Sequence, residues 1–294
     1  MTKTIILTGV TGFLGSNLAI GFVKLGWHVV GIKRSLSSIS RISNWLDYIE
    51  LYNAEDFGIN IIRNLNVDID AVIHAATCYG RHGETMYEIF DSNTSFPLRI
   101  LELALISKAK LFINIDTILD KYLNLYSFSK NQLLEWGKYV TMSSEISFIN
   151  IKLEHIYGLY DDPSKFVSYV INQCASNAPD LLLTAGLQTR DFIYVSDVIS
   201  AFIALICDSK ALGPGFYQYE LGSGKSLTIK SFVELVHCLS KSSTELKFGA
   251  LPYRQGEIMN SCASPVYFRS LGWEPSYTIE MGISTILSIQ YKIQ

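Results

Sequence analysis

The chain alternates between short, almost wholly apolar runs and longer stretches in which apolar residues recur every three or four positions. "TIILTG" at the amino end is a run of the first kind and has the profile of a buried parallel strand. From Phe13 to Leu25 the apolar positions fall at helical spacing, and they stop at Gly26. "HVVGIKR" reads as a second strand, the serine-rich "SLSSIS" as a loop, "YIELYNA" as a third strand and "AVIHAAT" as a fourth. A helix from about Thr85 to Ser107, a strand "KLFINID", a helix from about Tyr126 to Thr141 and a strand "SFINIKLEHIYG" follow. This alternation predicts an α/β fold: a doubly wound parallel sheet with right-handed crossovers, covered on both faces.

The pattern weakens after about Gly158, where "GLYDDPSK", "SNAPD" and "LGPG" are loop-rich. We therefore expect a dinucleotide-binding domain over residues 1–160, with 191–222 returning to it through a helix around Val195–Cys207. Residues 161–190 and 223–294 are expected to form a smaller α/β substrate lobe. No internal repeat is visible.

Composition narrows the function classes. Of 294 residues, 49% are hydrophobic and 17% charged, enough for a sizeable core and unlike a disordered chain. The net charge of −3 comes with no basic stripe, which argues against a nucleic-acid partner. Cys78, Cys174, Cys207, Cys238 and Cys262 lie scattered, with neither C-x-x-C spacing nor a histidine cluster. They read as small buried hydrophobes in a reducing cytoplasm, and no metal site is expected. No stretch approaches the roughly 18 apolar residues of a membrane span, so no membrane partner is expected.

The candidate chemistry begins where the first strand ends. Gly9, Gly12 and Gly15 form a strand–turn–helix glycine pattern, with Thr11, Phe13 and Leu14 filling the turn. One glycine allows the tight turn, one lets backbone approach a pyrophosphate, and one lets helix pack on sheet. The helix amino end adds N–H groups and a favourable dipole. Such glycines also suit a plain tight turn, but this context favours a dinucleotide. At the end of the second strand an acidic residue would hold the ribose of NAD. Lys33, Arg34 and Ser35 stand there instead, and a cation favours the extra phosphate of NADP over a solvated basic loop. NADPH is therefore expected ahead of NADH.

In "YSFSK", Tyr126 and Lys130 are four apart and share a helix face. A nearby ammonium is expected to lower the phenol's affinity for its proton and make it a usable acid or base near neutral pH. Alone, the pair is weak and also fits a surface patch.

The glycine turn, "HAAT", "YSFSK", "HIYG" and "RDFIYVSD" come in the order of the extended short-chain dehydrogenases/reductases, and the chain resembles that family from Thr4 to about Trp273. "HAATCYG", "FINIDT", "IKLEHIYGLYDDPSKF" and "RQGEIM" with "LGW" are similar to the reductases that make CDP-abequose and CDP-paratose. The resemblance implies a Rossmann-type fold and NADPH-dependent reduction of the 4-ketone of a CDP-linked 3,6-dideoxyhexose, for O-antigen or another surface polysaccharide. Tyr126 would donate the proton, and Lys130 would hold the nicotinamide ribose and tune Tyr126. Ala75 and Ala76 would line the cofactor cleft, Thr77 and His155 would face the sugar, and Leu153 would lie near the carboxamide. Arg190 and Arg254 would clamp the diphosphate, with Lys165 nearby, while Asp191 would hold structure. His74 would be structural, His28 and His237 ordinary surface or core groups, and His82 a candidate for reaching the sugar.

Relatives also place a Ser or Thr on the fifth strand. Counting back from Asp120 puts Ile115 there, which cannot make the bond. Thr117 shares its strand face about 6–7 Å away. Thr117 after a bend, or else Thr77, would take the role, with Thr117 expected ahead of Thr77. The resemblance further implies a homodimer built on the helix after strand four and the tyrosine-bearing helix. Ile100, Leu101, Leu105, Leu133, Leu134 and Trp136 suit that interface or burial against the sheet equally.

Three alternatives stand beside this reading. An epimerase would usually carry the acidic ribose hook. A 4,6-dehydratase would carry Thr-Asp-Glu where this chain has Ile115, Asp116 and Thr117. A non-catalytic cofactor sensor would typically lack the tyrosine or the lysine. A dTDP- or GDP-linked 4-keto-6-deoxy sugar remains open as substrate.

Overall fold

The computed structural model describes residues 2–208 and 212–293. In chain order its strands are β1 (Thr4–Thr8), β2 (His28–Lys33), β3 (Ile49–Asn53), β4 (Ala71–His74), β5 (Leu111–Thr117) and β6 (Ser147–Leu153), then β7 (His155–Tyr157), β8 (Asp180–Leu182), β9 (Thr189–Tyr194), β10 (Gly215–Leu221), β11 (Ser226–Thr228) and β12 (Glu245–Lys247). The α-helices are α1 (Phe13–Lys24), α2 (Ile59–Leu65), α3 (Met86–Phe90), α4 (Phe96–Ile106) and α5 (Leu125–Val140), then α6 (Phe166–Ala175), α7 (Val195–Asp208), α8 (Ile229–Leu239), α9 (Val266–Ser270) and α10 (Ile279–Tyr291).

Two compact units result: Met1–Lys152 with Phe202–Tyr219, and Leu153–Ala201 with Glu220–Gln294. The first boundary falls earlier than residue 160 because the run "SFINIKLEHIYG" is not one strand. It breaks at Glu154, so β6 joins the large sheet while β7 pairs with β9 in a separate one. The returning segment is 202–219 rather than 191–222, because β9 and the first part of α7 belong to the second unit.

The first unit holds a seven-stranded sheet ordered β10-β6-β5-β4-β1-β2-β3, a Rossmann-like arrangement. β1 runs parallel to both β2 and β4, and the order reverses there, which opens a crevice at the carboxyl ends of β1 and β4. All five residues of β1 are buried, as expected for a strand covered on both faces. The predicted helix 85–107 is three segments. Thr85 caps α3 in a reciprocal capping box with Glu88. A π-helical turn, Asp91–Ser95, then leads into α4. Pro97 lies just beyond it and has no N–H to donate back, so the regular ladder is interrupted where the turn widens.

Helix α5 is fixed at both ends. Asn124 accepts the Ser127 backbone N–H at 2.9 Å and caps it. Farther along, Gly137 lies so close to Phe148 that a Cβ there would stand 2.5 Å from the ring. Ile100, Leu101 and Leu133 are buried in this unit's own core with Phe112 and Phe148. Of the residues suited to a dimer face, Trp136 is the exposed one, at 43%.

The second unit contains the sheet β11-β9-β7 and the pair β12-β8. Phe232 of α8 stacks on Phe192 of β9, with ring centroids 4.5 Å apart. Asp191, fully buried on β9, accepts from the N–H groups of Ser223 (2.9 Å), Gly224 (2.9 Å) and Ala263 (3.2 Å), which explains its structural role.

Candidate active site

Both candidate chemistries of the first unit lie at the carboxyl edge of its sheet. Gly9 leaves β1 with φ +68°, and its N–H donates to the Ile32 carbonyl at 3.0 Å. A Cβ on Gly9 would stand 2.7 Å from the Ala76 nitrogen, and one on Gly15 only 2.1 Å from the Gly9 carbonyl oxygen. The turn is thus backbone packed on backbone, a surface that a phosphate can approach closely. Gly12 is the N-cap of helix α1 and makes no side-chain cap bond, the kind of helix amino end that suits an anion. Across the crevice, the Thr8 hydroxyl accepts the N–H groups of Ala75 and Ala76, each at 3.2 Å, and sits 2.9 Å from His74 Nδ1. These features fit a dinucleotide.

The cations after β2 have different surroundings. Lys33 Nζ is occupied by the Ser35 carbonyl and Asn53 Oδ1, both at 3.1 Å. The Ser35 hydroxyl donates to Glu55 at 2.9 Å. Arg34 is exposed, and its guanidinium makes no hydrogen bond or ion pair among the described residues. Of the three, Arg34 is the one available to an added phosphate.

Tyr126 is the second residue of α5, one turn before Lys130. Tyr79 packs against the phenol ring, with centroids 5.0 Å apart, and the Arg81 guanidinium lies 4.8 Å over Tyr79. Burial pushes the phenol well above its ordinary range. The Tyr79 and Asp116 side chains add to the rise, whereas the neighbouring Thr117 hydroxyl and the Arg81 charge work against it. The expectation that Lys130 acidifies Tyr126 is therefore corrected: desolvation outweighs any ammonium effect here, and the phenol holds its proton. Lys130, 2% exposed, is itself pushed down to about 8 by burial, with Asp116 opposing the fall. His74 is driven well below the histidine range by burial and by Lys130, so its ring is neutral. The structure brings Thr117 to the phenol from the end of β5; Ile115 is buried.

Sequence reasoning missed the polar scaffold behind this pair. Asn93, on the π turn and fully buried, accepts the Cys78 N–H at 2.8 Å and the Thr77 hydroxyl at 3.3 Å. Its amide donates to the Cys78 carbonyl (2.8 Å) and to Ser129 Oγ on α5 (3.0 Å). The loop carrying Thr77 is thereby tied to the helix carrying Tyr126. Asn114, Asn150 and Asp116 form a second buried set, and polar residues inside otherwise apolar strand runs were its signal in the sequence.

In the second unit the candidate substrate residues are spoken for to different degrees. Arg190 is bonded to the carbonyls of Thr189 (2.7 Å) and Ile258 (2.6 Å) and paired with Glu257, so it straps the segment around residue 258. Arg254, at the start of a turn closed by the Glu257 N–H, is exposed. Lys165 Nζ meets the buried Asp161 at 2.8 Å. Glu154, buried, orients His155 through Nδ1 at 3.1 Å and accepts the Ser261 hydroxyl. Leu153 is half-buried at the end of β6. His28 pairs with Glu50, His237 with the Thr244 carbonyl, and His82 is exposed. Among the described residues no helix is long and apolar enough to cross a membrane, and no group of three potential metal ligands occurs.

The chain is similar over 99% of its length, and 99% of the relative's, to a CDP-abequose synthase of Salmonella muenchen, at 33% identity. A CDP-abequose synthase of Salmonella typhimurium is 31% identical over 98% of each chain. Among solved structures, a UDP-glucose 4-epimerase from Thermotoga maritima superposes with a TM-score of 0.84 at 18% identity, covering 98% of this chain and 99% of that one. Residues 5–222 match the model of the NAD dependent epimerase/dehydratase family. With its glycine cradle, Tyr126–Lys130 helix and Rossmann-like sheet, the chain belongs to the NAD dependent epimerase/dehydratase family.

Proposed function

We propose that the chain is a nucleotide-sugar 4-ketoreductase that uses NADPH and acts on a CDP-linked 4-keto-3,6-dideoxyhexose, in the cytoplasm, on the way to a surface polysaccharide. The carrying observation is the state of Tyr126: a sheltered phenol that holds its proton, beside Thr117 and one turn from Lys130. A phenol so placed can serve as the general acid, provided that Lys130 and the bound cofactor offset its raised proton affinity when it donates. The CDP-abequose synthases among its relatives support the sugar class.

In this reading Gly9, Gly12 and Gly15 with the α1 amides hold the pyrophosphate, Thr11, Phe13 and Leu14 shape the turn, and Ala75 and Ala76 line the cleft. Arg34 takes the 2′-phosphate, and Lys130 holds the nicotinamide ribose. When bound, NADPH supplies hydride to the ketone carbon. Tyr126 gives its proton to the ketone oxygen as the carbon is reduced, Thr117 orients that oxygen, and the phenolate is reprotonated from solvent. Thr77, His155, Leu153 and Lys165 are assigned to the sugar and nicotinamide surroundings and Arg254 to the diphosphate, while Arg190 straps the segment around residue 258. A homodimer through the exposed side of α5 around Trp136 is part of the same reading.

One observation favours NADH instead: the Ser35 hydroxyl donates to the Glu55 carboxylate, an anion that would oppose a phosphate bound at this loop. The test is incubation with NADPH or NADH and CDP-, dTDP- or GDP-linked 4-keto-deoxysugars, with NMR of the product. Oxidation of NADPH with formation of a 4-hydroxy CDP-sugar is expected. Interconversion of sugars without net cofactor oxidation would establish an epimerase in its place.

A further inference from the structure

One face of β5 carries Phe112, Asn114 and Asp116, and the adjoining strand β6 sets Phe148 and Asn150 beside them. Phe112 and Phe148 stack, with centroids 5.2 Å apart. One step toward the carboxyl edge, the pair is polar: Asn114 Nδ2 donates to Asn150 Oδ1 at 2.7 Å. Asn150 Nδ2 donates in turn to Asp116 Oδ2 at 2.8 Å, and the Thr117 N–H donates to Asp116 Oδ1 at 2.8 Å. Asn114 and Asn150 are fully buried and Asp116 is 7% exposed.

Helix α5 covers this face in the same order. Gly137 meets Phe148, Leu133 joins the core with Phe112, and Lys130 comes next, within electrostatic reach of Asp116 and of His74 on β4. The Lys130 ammonium makes no hydrogen bond or ion pair of its own among the described residues. A carboxylate sealed this far from water is costly unless a cation uses its charge.

We propose that Asp116, held in place by Asn150 and through it by Asn114, is the fixed counter-ion of Lys130 and a positioning residue for proton transfer at Tyr126. The inference rests on reading Tyr126 and Lys130 as the reacting pair. The titratable groups around Lys130 are neutral His74 from β4, Asp116 from β5 and Tyr126 from its own helix, with Tyr79 and Arg81 beyond the phenol. Asp116 is the anion among them. Its charge keeps the proton on Lys130 and discourages early loss of the proton from Tyr126, so the pair is loaded for donation.

The test reads Lys130 without cofactor or sugar, as the pH dependence of thermal stability. Folded Lys130 loses its proton near 8, whereas an unfolded lysine keeps it to about 10.4. The unfolded chain therefore binds more protons between those values, and stability rises with pH across that window. In Asp116→Asn the onset of the rise should move about one pH unit lower, and Asp116→Glu should return it toward wild type. The alkaline limb of kcat should move in parallel. A wild-type profile with no rise, or a folded Asp116→Asn protein with an unmoved onset, overturns the proposal. If Asp116→Asn does not fold, the double variant Asp116→Asn/Lys130→Met decides: recovery of folding supports the pairing, and equal failure shows a purely structural role. Because melting needs no substrate, a protein inactive on every sugar nucleotide would sink the functional reading and leave this result standing.

Discussion

Tyr79 and Tyr126 pack ring against ring, with centroids 5.0 Å apart and planes inclined by 42°. The contact shelters the phenol from water and raises the cost of its anion. Tyr126→Phe keeps that packing and deletes the proton. We expect kcat to fall at least about 100-fold with NADPH affinity changed less than about threefold, measured by single-turnover absorbance and fluorescence titration. Turnover within a few-fold of wild type would remove Tyr126 from its role.

Arg34 is exposed and its guanidinium makes no hydrogen bond or ion pair among the described residues, while Lys33 is already held by Asn53 and loop carbonyls. Arg34→Ala should therefore weaken NADPH roughly tenfold or more and leave NADH within about twofold, since a charge-assisted hydrogen bond is worth about 1.5–3 kcal/mol. Equal losses for both cofactors would reject the phosphate contact.

Lys130 gives a pH prediction with two opposite signs. Its folded value of about 8 lies below its ordinary 10.5, so burying the charged form costs about 3 kcal/mol at neutral pH. NADPH affinity should fall as pH rises through about 8, because the ammonium assigned to the ribose is lost. Fold stability should climb over the same interval, and Lys130→Met should flatten both curves.

Arg190 and Arg254 should separate by readout. Arg190 is engaged by two carbonyls and Glu257, so Arg190→Ala should destabilise the fold by about 1–3 kcal/mol in chemical denaturation. Arg254 is exposed, so Arg254→Ala should raise KM for the sugar nucleotide about tenfold with the denaturation midpoint unchanged. A stability loss in Arg254→Ala and none in Arg190→Ala would reverse these assignments.

What the sequence made legible was local. The strand, the glycine turn and the helix after it lie within residues 4–24, where spacing alone carries the signal. The Tyr126–Lys130 pair was visible for the same reason. The break at Glu154 was not, because "SFINIKLEHIYG" is uniformly strand-like and the change of sheet is a tertiary event. Nor was the direction of the Tyr126 shift, which comes first from burial, a tertiary effect, with Tyr79 from a distant loop adding to it. The Asn114–Asn150–Asp116 set joins two strands far apart in sequence, and periodicity cannot report such a pairing. The π turn had a cue, Pro97, that spacing alone did not interpret.

Gly137 is remote from any reacting atom, yet its missing methyl sets the distance between α5 and Phe148. A helix behaves as a stiff rod over a few turns, so crowding one end displaces the other. On the proposed role of Tyr126, its aim is then set in part from the far end of its helix, and a single added carbon there is expected to slow the reaction while leaving every group assigned to it in the chain.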